Sequence, residues 1–91
     1  MGRSSIAKHF LAEGATALSV AVGAELRRHR LARGLTQAEV GWPLTRAFVS
    51  AVERGHTIPS LPALVLLTER LGIPLDSFFT GVNERWTAMY N

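Results

Sequence analysis

Two helix starts, nine positions apart and separated by Gly41-Trp42-Pro43, constrain this chain more than any other feature. The first is Thr36-Gln37-Ala38-Glu39, a capping box: the threonine oxygen accepts from the Glu39 amide while the Glu39 carboxylate reaches back to the Thr36 amide. Leu35 before the cap and Val40 after it supply the matching hydrophobic staple. Pro43 then disfavours helical geometry at Trp42 and has no amide hydrogen to donate, so this helix is barely two turns long. The device repeats at once. Thr45 is the next N-cap, with Leu44 and Val49 as its staple, and it opens a helix over about residues 46–54.

Around this pair the chain divides at Gly34, Gly55 and Gly72, each placed where a helix ends in a left-handed residue. A first helix is expected over residues 19–33, with Val22, Leu26 and Arg30 on one face and Arg30 and Arg33 in its last turn, where cations are favoured. After Gly55, the loop His56-Thr57-Ile58-Pro59 leads to Ser60 as a cap, with Pro62 in the first turn of a fourth helix ending near Leu71. Leu64, Leu67 and Leu71 share its inner face. A short closing helix is expected over residues 73–79, and no strand alternation is present. These readings divide the chain into an N-terminal arm (1–17), a helical domain (18–80) and a C-terminal tail (81–91). Ile6, Phe10 and Leu11 stand at helical spacing in the arm, interrupted by Gly14.

Ninety-one residues suffice for one core, and 47% hydrophobic against 19% charged residues suits a globular chain and not a disordered one. Without cysteine there is neither a disulfide nor a thiolate metal site, which favours the cytoplasm. Arg3 and Lys8 before the small residues 15–24 resemble a secretory leader only faintly, because Glu13 and Gly14 break the apolar run. No uncharged stretch is long enough to span a membrane. The formal charge of +3 points to an anionic partner, nucleic acid before membrane, although nine of the ten basic residues are arginine, which base composition of the genome alone could produce. Catalysis lacks an inventory: His9, His29 and His56 are scattered, and no nucleophile motif, carboxylate pair or metal-ligand spacing occurs. His29 reads as a surface residue on an arginine-rich helix. No metal and no cofactor are expected.

Taken together, Leu26-Arg27 with Arg30, Gly34-Leu35-Thr36-Gln37-Ala38-Glu39-Val40, Leu44-Thr45-Arg46-Ala47-Phe48-Val49-Ser50-Ala51-Val52-Glu53-Arg54-Gly55 and Pro59-Ser60-Leu61 resemble the phage repressor and Cro (XRE-type) helix-turn-helix family over about residues 19–79. The resemblance implies an all-α, five-helix, lambda-repressor-like domain whose third helix lies in the major groove of double-stranded DNA. Carried over by position, Arg46, Ala47, Ser50 and Ala51 face base edges. Arg46 is the residue with the reach and paired donors for guanine, whereas Ala47 and Ala51 can only touch a thymine methyl. Gln37, Arg54, His56 and Thr57 fall at phosphate-contacting positions, Val49 and Val52 at buried ones, and Phe48 off the reading face. Arg30 and Glu53 match a buried structural salt bridge. Between Gln37 and Arg46 the chain is two residues shorter than the family pattern. Gly41 then fills the small position of the second helix, and Trp42 is expected to plug the core where the family has leucine. A repressor acting as a homodimer follows from the resemblance, with Phe78, Phe79, Trp86 and Tyr90 as dimer candidates. The competing reading is a protein-interaction module on the same fold, such as an antitoxin bound to its toxin.

Overall fold

In the computed structural model, which describes residues 15–90, five helices follow one another: α1 (Ala15–Ala32), α2 (Gln37–Gly41), α3 (Arg46–Glu53), α4 (Leu61–Leu71) and α5 (Leu75–Tyr90). Ile6, Phe10 and Leu11 lie outside the described residues. α1 begins four positions before the expected start, so residues 15–17 belong to a helix and not to an arm. Gly34, Gly55 and Gly72 all have positive φ, between 68° and 75°, and close α1, α3 and α4 as their positions predicted. Thr36, Thr45 and Ser60 each accept a backbone hydrogen bond three residues on, and the full capping box forms at Thr36 and Glu39. α2 has five residues and α3 eight, too few for either to be stable alone. Their stability comes from what they bury.

That burial is one continuous core. Val22 and Leu26 of α1, Val40 of α2, Val49 and Val52 of α3, Leu64, Leu67 and Leu71 of α4, and Phe78 and Val82 of α5 are all buried. Each such side chain contributes roughly 1.5–3 kcal/mol by leaving water. α1 crosses the end of α3 at Gly23, where a β-carbon would collide with the Val52 carbonyl oxygen, so the two backbones meet with no side chain between them.

The end of the chain departs from expectation. α5 runs unbroken through Gly81 to Tyr90, and Val82, assigned to a tail, is buried in the core. Phe78, a dimer candidate, is 0% exposed and therefore has no surface to offer a partner. Trp86 is half-buried against the core. Of the four candidates, Phe79 alone is shown exposed, with its ring 5.6 Å from that of Phe78 and edge-on to it. The side chain of Tyr90 lies outside the described residues.

What holds α5 down was not legible beforehand. Glu25, on the buried side of α1, is only 3% exposed, and its carboxylate accepts from Arg28 Nη2 (2.8 Å) and Arg85 Nε (2.8 Å) and lies 3.0 Å from His29 Nε2. Gly81 makes the room, because a β-carbon there would collide with Glu25 Oε2. His29, expected as a plain surface residue, is thus part of an ionic cluster joining α1 to α5. Burial pushes the Glu25 carboxyl up, but the hydrogen bonds from Arg28, Arg85 and His29 outweigh it and hold it at about 2 against an ordinary 4.5.

The turn between α2 and α3 also corrects an expectation. Trp42 is not a core plug: it is 69% exposed, with the Arg70 guanidinium 5.9 Å above its ring. The Trp42–Pro43 peptide is cis. Gly41 is buried so tightly that a β-carbon would collide with Val49 Cγ2, and an approach that close leaves no volume for an indole. Leu44 takes the inward place, half-buried against the core, with its amide donating to the Gly41 carbonyl.

Two further contacts tie α3 to the rest. Arg30 Nε and Nη2 donate to Glu53 at 2.6 and 2.9 Å, and Arg30 Nη1 donates to the Leu35 carbonyl at 2.7 Å. One guanidinium therefore joins α1, the α1–α2 loop and α3. Arg30→Ala should cost about 3–5 kcal/mol because it strands a desolvated carboxylate. Urea denaturation checks this, and a loss under 1 kcal/mol would show that the pair is dispensable. Glu25 supplies a pH signature. Its folded pKa lies below its unfolded one, so its contribution is present above about pH 4.5 and is lost as pH falls toward about 2. The difference is worth at most about 3 kcal/mol, reduced by solvent around the 56%-exposed Arg28. Glu25→Gln should accordingly flatten the acid limb of stability against pH, whereas a limb parallel to wild type would remove Glu25 as its cause.

Candidate nucleic-acid interface

α3 begins where Thr45, in extended backbone geometry, accepts from the Phe48 amide at 3.0 Å. Its periodicity then sorts the side chains. Val49, Val52 and Glu53 turn inward, and Phe48 is half-buried against the core. The outward side carries Arg46 and Ala47, both exposed, then Ser50 and Ala51, both half-buried. Of these, Arg46 is the long cation. Its side chain makes no hydrogen bond or ion pair with any described residue, and it is exposed at the start of the helix.

The α3 exit carries the second cation. Arg54 caps the helix, with its amide donating to the Ser50 carbonyl, and its exposed guanidinium donates from Nη1 to Ser50 Oγ at 2.6 Å. His56 is exposed and Thr57 half-buried in the loop beyond. The His56 amide donates to the Ala51 carbonyl at 2.9 Å, which holds the loop against the helix end.

Gln37, the first residue of α2, is placed differently from a free surface amide. It is half-buried, and its Nε2 donates to Glu53 Oε1 at 3.0 Å. Glu53 thereby accepts from α1 through Arg30 and from α2 through Gln37, while itself belonging to α3. One amide hydrogen and the carbonyl oxygen of Gln37 remain for a further partner. The Gln37–Glu53 and Ser50–Arg54 hydrogen bonds were both missed in the sequence. The second has a signal in its spacing of four, which places the two on one helix face. The first joins residues 16 positions apart and has no local signal.

Among the described residues, no three histidine or acidic side chains gather as a metal would require, and no helix is long and apolar enough to cross a membrane. What the surface offers is a short helix, anchored from beneath by a buried salt bridge, with at its leading end an arginine that has no partner among the described residues and small side chains beside it.

A helix-turn-helix family model matches residues 26–78, from the second half of α1 into α5. A comparison with curated proteins finds no match. The matched stretch covers more than half of the chain and includes both capped helices, the turn between them and the residues that bury α3; the chain belongs to the DNA-binding helix-turn-helix family of the phage repressor and Cro (XRE) type.

Proposed function

We propose that the protein is a sequence-specific transcriptional regulator, acting as a repressor, that inserts α3 into the major groove of operator DNA as a homodimer. The observation that carries this reading is Arg46. An exposed guanidinium with no partner among the described residues, at the N-terminal end of a helix whose opposite face is buried, meets the requirement for bidentate donation to guanine O6 and N7. Ala47 and Ala51 leave room beside it for a thymine methyl. Gln37, Arg54, His56 and Thr57 surround the reading face with donors suited to phosphate oxygens, which fix register and carry no sequence information themselves. The net charge of +3 favours the encounter.

A second copy is supported by an uncharged groove formed by Leu18, Ile58, Pro59, Leu61 and Phe79, where Leu61 is 62% exposed. Ile58 and Pro59 belong to the loop that leaves α3, and we assign the two-fold contact to this groove. Half-sites then fall about 34 Å apart, one turn of DNA.

Selection of bound sequences from random DNA, followed by binding measurements on the selected site and a scrambled control, tests the reading. Arg46→Ala should lose about 1–3 kcal/mol of discrimination between the two. Equal weakening of both duplexes would make Arg46 a backbone contact, and a wild type without preference would refute sequence-specific regulation.

A further inference from the structure

We propose that Ser50 is a positioning residue that holds Arg54 for a phosphate contact, and that it does not itself read a base. The inference rests on the DNA-binding reading above and assigns one of its residues a different task. On the outward side of α3 and its cap, the polar side chains are Arg46, Ser50 and Arg54, spaced by four and therefore aligned in one stripe. The two arginines at its ends differ in one respect. Arg46 has no partner among the described residues, whereas Arg54 is tied twice to position 50, its amide to the Ser50 carbonyl at 3.0 Å and its Nη1 to Ser50 Oγ at 2.6 Å. The guanidinium is thus folded back along the helix and does not trail past Gly55.

The chemistry of this pair favours an anion. Ser50 is neutral, and Arg54 makes no ion pair among the described residues, so its full positive charge is retained while its direction is set. One of its five N–H donors is used, and the remaining fork matches phosphate oxygens. A flexible arginine loses rotamer freedom when it grips a ligand, and a side chain already oriented loses less. The position along the helix selects phosphate over base. Arg54 lies eight residues from Arg46, about 12 Å along the axis, at the end opposite the one that enters the groove. Ser50 has a short side chain, is half-buried and already accepts from a guanidinium, which leaves its short O–H donor to reach a base from behind the longer Arg54 side chain.

A double-mutant cycle separates the two roles. Wild type, Ser50→Ala, Arg54→Ala and the double variant are titrated with the selected site and a scrambled duplex over a series of salt concentrations. Circular dichroism melts confirm that each is folded. Arg54→Ala should weaken both duplexes equally and reduce the log-log salt slope by about 0.9, the loss of one phosphate contact. Ser50→Ala should also weaken both equally, by about three- to tenfold, the range for losing one hydrogen bond. It should cost nothing further when Arg54 is already alanine, and Ser50→Thr, which keeps the hydroxyl, should restore binding. A Ser50→Ala cost that persists in the Arg54→Ala background, or that falls on the selected site alone, would overturn the proposal and return Ser50 to base reading. A wild type that does not prefer the selected site would instead sink the regulator reading itself, and this assignment with it.

Discussion

The orientation of α3 depends on the carboxylate of Glu53. It is buried at the C-terminal end of α3 and receives Arg30 from α1 and Gln37 from α2, so three helices converge on two oxygen atoms. Burying a charge is costly unless it is paired and its lone pairs are satisfied, and the bidentate guanidinium with a third donor does both. Arg30 adds a bond to the Leu35 carbonyl and so also fixes the loop by which the chain reaches α2. An eight-residue helix has little preference of its own to be helical. Its orientation is set from beneath by this network and by Val49 and Val52, which leaves the opposite face unencumbered.

The same logic recurs at the far side of α1. Glu25 is a second buried carboxylate, paired with Arg28 and Arg85 and touched by His29, and it tethers the long α5 to the domain. These two acids absorb much of the arginine content that composition alone would assign to an anionic partner. Arg28, Arg30 and Arg85 are committed to ion pairs, Arg33 donates to the His29 carbonyl, and Arg70 lies over Trp42. Among the described residues, the arginines left without a side-chain hydrogen bond or ion pair are Arg27 and Arg46. Net charge is therefore a coarse guide to function here. The location of Arg46, at the start of α3, is the sharper one.

The turn between α2 and α3, residues 42–45, shows how closely two capped helices can be joined. Gly41 allows α2 and α3 to approach until the glycine meets the Val49 side chain, and Leu44 fills the remaining space. Trp42 is displaced outward and stays exposed under the Arg70 guanidinium, whose Nη1 also reaches the Glu39 carbonyl at 3.4 Å. Hydrophobicity alone misplaced Trp42. The volume available next to a glycine contact decided its position.

Local chemistry was legible because it acts over a few residues. Thr36, Thr45 and Ser60 as caps, the left-handed glycines at 34, 55 and 72, and the inward face of α4 follow from hydrogen-bonding, steric and periodicity rules that need no knowledge of distant residues, whereas the buried Val49 and Val52 of α3 came from the family resemblance. The family motif added the Arg30–Glu53 pairing. Tertiary structure decided the rest: that α5 continues past Gly81, that Phe78 is core and Trp42 is surface, that Gln37 leans on Glu53, and that Glu25 gathers its cations. Each of these outcomes depends on how closely two helices approach or on the meeting of residues far apart in the chain. Neither is encoded in the spacing of neighbours along it.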